Sequence, residues 1–134
     1  GCTLTPGYWK THSRRGPAPY DDTWAQLGAN QENTTFFLSG KSWYQMLWTP
    51  PAGNAYYILG HAYAATALNA LNGASLPPEV LAGWNEATTL LRTWTPAQIG
   101  AQKGNQQPRK RFLELAGLLD MYNNGLIGPG HCSE

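Results

Sequence analysis

From Ala55 to Leu71 almost every residue is apolar or small, and only His61, Thr66 and Asn69 interrupt the run. A helix that is apolar on all sides must be surrounded on all sides. With a histidine, an asparagine and Gly60 inside it, the segment reads as a protein core and not as a membrane span. Asn72-Gly73 ends it. Ala62, Ala64, Ala65, Ala67 and Ala70 leave room for neighbouring helices to approach closely. A chain of 134 residues is long enough to surround such a helix, since about 68% of the unfolded surface is buried at this size. The expected fold is mainly α: one compact domain, residues 1–134, with four to six helices around a central helix at 55–71.

The flanking sequence supplies the other elements. Residues 1–20 carry Pro6, Gly7, Gly16, Pro17 and Pro19 and read as a long irregular arm. Asp21 or Asp22 can cap a short helix through Thr23–Leu27, stopped at Gly28. Thr34–Leu38 is the one strand-like run. Ser42 with Gln45, and Thr95 with Gln98, are capping-box pairs that open helices. The first of these places Trp43, Met46 and Leu47 on one side. Pro78 suits the first position of a helix whose inner face is Val80, Leu81, Trp84, Ala87, Thr88, Leu91 and Trp94 at helical spacing. The last helix carries Phe112, Leu115, Ala116, Leu119 and Tyr122 on one face, and an irregular tail follows Asn124-Gly125.

Composition narrows the function classes. Net charge is +1, which speaks against the basic field of a nucleic-acid binder. No stretch qualifies for membrane insertion. Charged residues make up only 13% of the chain, about half the usual 25%, whereas Thr, Asn, Gln and Ser number 33. An amide- and hydroxyl-rich surface suits contact with a similar surface or with sugar hydroxyls. Cys2 and Cys132 stand at opposite ends, with no zinc spacing. They read most simply as a disulfide joining arm and tail, with two free thiols as the alternative. In the chain-entropy view, a closed loop of this length is worth about 4–5 kcal/mol. Such a bond implies an oxidising compartment. The start at Gly1, without Met, is expected of a mature or excised piece.

The two ends are the distinctive strings: Cys2-Thr3-Leu4-Thr5-Pro6-Gly7-Tyr8-Trp9-Lys10-Thr11-His12 and Gly128-Pro129-Gly130-His131-Cys132. They resemble exported bacterial surface domains with a GYWKTH signature and a GPGHC-like ending. The likeness extends to Pro19–Trp24 and Trp48–Pro51. It implies export and extracellular or cell-surface use, and it brings no catalytic residue.

Thirteen residues are Trp or Tyr. With Trp43, Trp84 and Trp94 assigned to helix inner faces, Tyr8, Trp9, Tyr20, Trp24 and Trp48 remain as surface candidates. Together with Lys10, His12 and His131 they form the candidate binding set, for a glycan or for a protein contact. The competing reading of Tyr8 and Trp9 is that they anchor the arm in the core. A disulfide between the ends would bring His131 towards His12, and with Asp21 or Asp22 the pair could hold a divalent ion. The simpler expectation is that both imidazoles bond backbone carbonyls, and that His61 is a hydrogen-bonded core histidine. Lys10, Arg14 and Arg15 form one basic cluster, and Arg109, Lys110 and Arg111 another. No nucleophile elbow, phosphate loop or zinc-protease motif is present, no cofactor is implied, and the carboxylates form no recognisable acid pair. The leading expectation is therefore a non-enzymatic structural or adhesive surface module that associates with itself or with other surface proteins. A carbohydrate-binding module is the second, and a small metal-dependent enzyme around His12 and His131 the third.

Overall fold

A computed structural model describes residues 1–133. Six α-helices form: α1 (Pro6–Thr11), α2 (Trp43–Trp48), α3 (Ala55–Leu71), α4 (Pro78–Thr93), α5 (Pro96–Gly100) and α6 (Arg109–Asn123). Two 3-10 turns, Asp22–Leu27 and Gln31–Asn33, lie between α1 and α2. Among the described residues there is no strand and no helix long and apolar enough to cross a membrane.

The apolar run from Ala55 is the centre of the molecule. Residues 62–69 are buried without exception, and α3 touches all five other helices and the first 3-10 turn. Asn54 caps its start through the Tyr56 N–H, 3.0 Å. Helix α6 lays Phe112, Leu115, Ala116, Leu119 and Tyr122 against it. Helix α4, with Pro78 in its first turn, buries Val80, Gly83, Ala87 and Leu91. Gly83 permits the close approach of α4 to α6, because a Cβ there would lie 2.6 Å from Leu118 Cδ2. Leu81, expected on the inner face of α4, is instead 44% exposed. It lines an open apolar groove with Leu71, Leu76 and Trp84 instead of packing under the helix. Both capping boxes, at Ser42/Gln45 and Thr95/Gln98, are formed.

The N-terminal arm departs from its expected irregularity. Thr5 caps α1 by accepting from the Tyr8 N–H, and Pro6 takes the first helical position, the arrangement that suits a residue without an N–H. Thr34–Leu38 does not become a strand either. Thr35 makes one antiparallel bridge to Ser42, and the chain turns sharply at Phe37, which has a φ of 44°, so that Phe36 can enter the core.

Buried polar groups dock this arm on the helices. Asn69 Oδ1 accepts from the Leu4 N–H at 2.8 Å and from Trp9 Nε1 at 3.2 Å. Its Nδ2 donates to Leu4 O at 2.9 Å and to Asn123 Oδ1 at 3.0 Å. Both donors and both acceptor directions of one amide are thus used. Thr3 Oγ1 adds a bond to Asn123 O, 3.0 Å. Thr3 also pairs with His131 in a parallel bridge, and the Cys2–Cys132 disulfide closes the ends.

Candidate functional site

A polar cleft of about 600 Å³ opens where α1, the loop that follows it and the end of α3 meet. Tyr8, His12, Pro19, Tyr20, Asp21, Asp22 and Asn72 line it. Two tryptophans that the sequence pattern left as surface candidates are not part of its lining. Trp9 and Trp24 are both fully buried. Trp9 is tied to Asn69, and Trp24 Nε1 donates to Trp9 O at 3.1 Å. An indole on a short helix or turn has nowhere to bury except under that turn, so these rings serve as plugs. The anchoring alternative holds for Trp9.

The walls are set by hydrogen bonds from the returning loop. The Asp21 N–H donates to His12 O at 2.8 Å, and the Ala18 N–H to Thr11 O at 2.9 Å. Tyr8 Oη donates to Asp21 Oδ2 at 2.8 Å, and the Thr23 N–H to Asp21 Oδ1 at 3.0 Å. The Tyr8 and His12 rings stack with centroids 3.9 Å apart. His12 Nδ1 lies 2.8 Å from Pro19 O. A carbonyl can only accept, so Nδ1 carries the proton and a neutral His12 keeps Nε2 as an acceptor. Burial alone would raise the Asp21 carboxyl. Hydrogen bonds from the Thr23 amide and the Tyr8 hydroxyl, with His12 nearby, outweigh that effect and hold it below the usual carboxylate range. The cleft therefore presents a fixed carboxylate whose two oxygens each retain a lone pair, with exposed Asp22 beside it. Asn72 Oδ1 accepts from Thr23 Oγ1, 3.2 Å.

Other candidates fall elsewhere. His131 pairs with Thr3 near the disulfide and is not part of the cleft lining. Among the described residues no three His, Cys, Asp or Glu side chains are grouped to hold a metal ion, so His12, His131, Asp21 and Asp22 do not form the ligand set considered for them. His131 stays beside Thr3, whereas the nine residues between Cys2 and His12 carry His12 to the C-terminal end of α1. Lys10 and Trp48 form a neighbouring ledge, with Lys10 Nζ 4.5 Å from the centre of the Trp48 ring. Trp48 is 41% exposed and Tyr20 36%, so these two remain accessible aromatics. His61 is half-buried, and its Nε2 sits 3.0 Å from both Met46 O and Thr49 O. It ties α3 to the end of α2, as expected of a hydrogen-bonded core histidine.

Three features have little sequence signal. Asn72 joins the cleft only because the C-terminus of α3 ends beside Asp21. Glu32 is buried and accepts from the Arg14 N–H at 2.5 Å, which fixes the loop before Tyr20. An apolar groove of about 420 Å³ lies on the other side of the first 3-10 turn, lined in part by Leu27, Leu71, Leu76, Leu81 and the stacked pair Tyr63 and Trp84.

Comparison with known proteins returns no match for this chain among family models, curated proteins or solved structures.

Proposed function

We propose that the chain is an extracellular adhesive module and that its polar cleft binds carbohydrate. The observation that supports this most is convergence. Tyr8, His12, Tyr20, Asp21 and Asp22 are drawn into one cleft and joined there by Asn72. Sugar hydroxyls both donate and accept. A fixed carboxylate, an imidazole nitrogen and a carboxamide supply the matching groups, and aromatic rings meet the apolar faces of the sugar. The hydrogen bonds from Tyr8 and Thr23 hold Asp21 in position before any ligand arrives, which lowers the ordering cost of binding. The disulfide supports an oxidising, extracellular setting.

Titration of the protein with a broad panel of oligosaccharides, followed by calorimetry, tests the proposal. Binding that is lost in Asp22→Ala and Asn72→Ala, with unchanged thermal stability, is the expected result. No heat from any glycan overturns it.

A second reading rests on the apolar groove. Leu71 and Leu81 at its rim are 36% and 44% exposed, the kind of surface that self-association would cover. Light scattering with negative-stain imaging of the oxidised protein separates assemblies from a monomer.

A further inference from the structure

Beside the cleft, three cations are held in place without being neutralised. The Arg14 guanidinium carbon lies 5.2 Å from the centre of the Tyr20 ring, and Tyr20 itself lines the cleft. Arg15 lies over Tyr44 at 4.6 Å, and Lys10 over Trp48 at 4.5 Å. Tyr44 and Trp48 are adjacent on α2, with centroids 6.1 Å apart. The sequence Tyr20/Arg14, Arg15/Tyr44, Trp48/Lys10 is therefore a continuous strip that begins at the cleft and crosses α2.

The chemistry of the strip is unusual for its distribution of charge. Most protein cations that are held in position are held by carboxylates, which also cancel them. Among the described residues, ion pairs involve Arg111 alone. Glu32 is buried and accepts from the backbone N–H of Arg14. Asp21 and Asp22 belong to the cleft at one end of the strip. Aromatic faces position the three cations and leave their N–H groups for another partner. Arg15 commits only Nη1, to Asn33 Oδ1 at 3.1 Å. Preorganised, unneutralised guanidinium groups are suited to carboxylate or sulfate oxygens.

We infer that the strip binds the anionic groups of an acidic polysaccharide, whose neutral hydroxyls occupy the adjoining cleft. This rests on the carbohydrate reading of the cleft and specifies its ligand class. The charges sort the polymer along the surface. Asp21 and Asp22 repel an anionic group from the cleft, while Lys10, Arg14 and Arg15 draw one to the strip. A nucleic acid is disfavoured because it offers the cleft bases and phosphates in place of the neighbouring hydroxyls that the residues of an acidic polysaccharide retain.

The test compares binding of the oxidised protein to polygalacturonate, dextran sulfate, neutral dextran and single-stranded DNA at low and moderate salt. Two variants accompany it: Lys10→Gln/Arg14→Gln/Arg15→Gln on the strip, and Asn72→Ala, which leaves the charge unchanged, in the cleft. Circular dichroism and thermal melting confirm that each is folded. The expected result is salt-sensitive binding of at least one acidic polysaccharide, with dextran and DNA about tenfold weaker or more, and about a tenfold loss in the strip variant. Selective retention of polygalacturonate assigns carboxylates as the anion, and selective retention of dextran sulfate assigns sulfates. The inference is overturned if neither acidic polymer binds, if dextran or DNA binds as tightly, or if the strip variant binds as the parent does. The cleft variant separates the two readings. If it retains full affinity for the acidic polymer while the strip variant loses it, the cleft proposal fails and the anion assignment stands.

Discussion

The side of the molecule built from α3, α4 and α6 and the side built from residues 1–48 are held by different physics. On the helical side, α6 and α4 bury continuous apolar faces on α3. The attraction is spread over many apolar contacts, to which a few directional bonds are added: Asn123 to Thr66, Asn69 and Ala62 O, Tyr63 to Thr88, and Arg111 to Glu86. The N-terminal side also buries large rings, Trp9, Trp24, Phe36 and Trp43, but its backbone consists of two short helices and two 3-10 turns. Single hydrogen bonds decide where those pieces sit: Leu4 and Trp9 on Asn69, Trp24 on Trp9, Arg14 on Glu32. Both the cleft and the cationic strip draw most of their residues from this second side. Turns can converge chemically varied side chains that one helix face would separate, and directional bonds are what keep such a surface in one shape.

The disulfide is the strongest test of that contrast. Replacing Cys2 and Cys132 together by Ser opens a loop with a sequence separation of 130, for which the chain-entropy model gives a loss of about 4–5 kcal/mol. The arm should loosen first. Amide exchange is expected to rise in residues 1–30 before it rises in α3 or α6, and uniform loss of protection across both sides would remove the distinction.

A matched pair of core substitutions comes next. Asn69→Leu keeps the branched shape and heavy-atom count of the side chain but leaves the Leu4 N–H, the Trp9 indole N–H and Leu4 O without their partner. At about 1–3 kcal/mol for each buried unpaired group, partly relieved by relaxation, the expected cost is about 4 kcal/mol. Leu119→Ala, on the helical side and fully buried, should cost about 3 kcal/mol through lost burial and a cavity. The costs are similar, and the location of the damage is the discriminating outcome. Near-UV circular dichroism from Trp9 and Trp24 should change in the Asn69 variant and be retained in the Leu119 variant. The reverse pattern would show that the arm is placed by apolar packing alone.

The two sides also differ in how far their sequences reveal them. The boundaries of α3, the Pro78 start of α4, the apolar face of α6 and both capping boxes are legible because each is a local periodic or terminal signal. Helix α1 is hidden behind Pro6 and Gly7, which read as loop punctuation, although Thr5-Pro6 is also a cap followed by a first-turn proline. The burial of Trp9 and Trp24 is not legible in the same way. Their depth depends on Asn69, some sixty residues away for Trp9, and no local pattern carries that contact. Of the candidate site, Tyr8, His12, Tyr20, Asp21 and Asp22 are recognisable by type. That they share a cleft with Asn72, while His131 does not join them, is a property of the tertiary fold.

The smallest expected effect lies at the seam between the sides. His61 on α3 bonds Met46 O and Thr49 O at the end of α2. Burial lowers its affinity for a proton, and the positive charge of Lys10 adds to that. The two carbonyls act in the opposite direction without reversing the result. A histidine with a lowered folded-state pKa binds its proton more readily when unfolded. Its contribution to stability is therefore complete above the unfolded value of 6.5 and is lost as pH falls from there through the folded value. Asp21, lowered from 3.8, titrates below this window, and the contribution of Asp120, raised from 3.8 by burial, is lost as pH rises, the opposite sign. The denaturant midpoint should thus fall between pH 7.5 and pH 5 in the parent. It should be flatter over the same range in His61→Gln, which keeps an amide donor for the carbonyls and has no proton to gain. Exchange-detected opening at low pH should begin at α2 and the loop after it, because those are the segments His61 secures. A midpoint that falls equally in the variant would place the titrating group elsewhere and leave the seam held by packing, in the manner of the helical side.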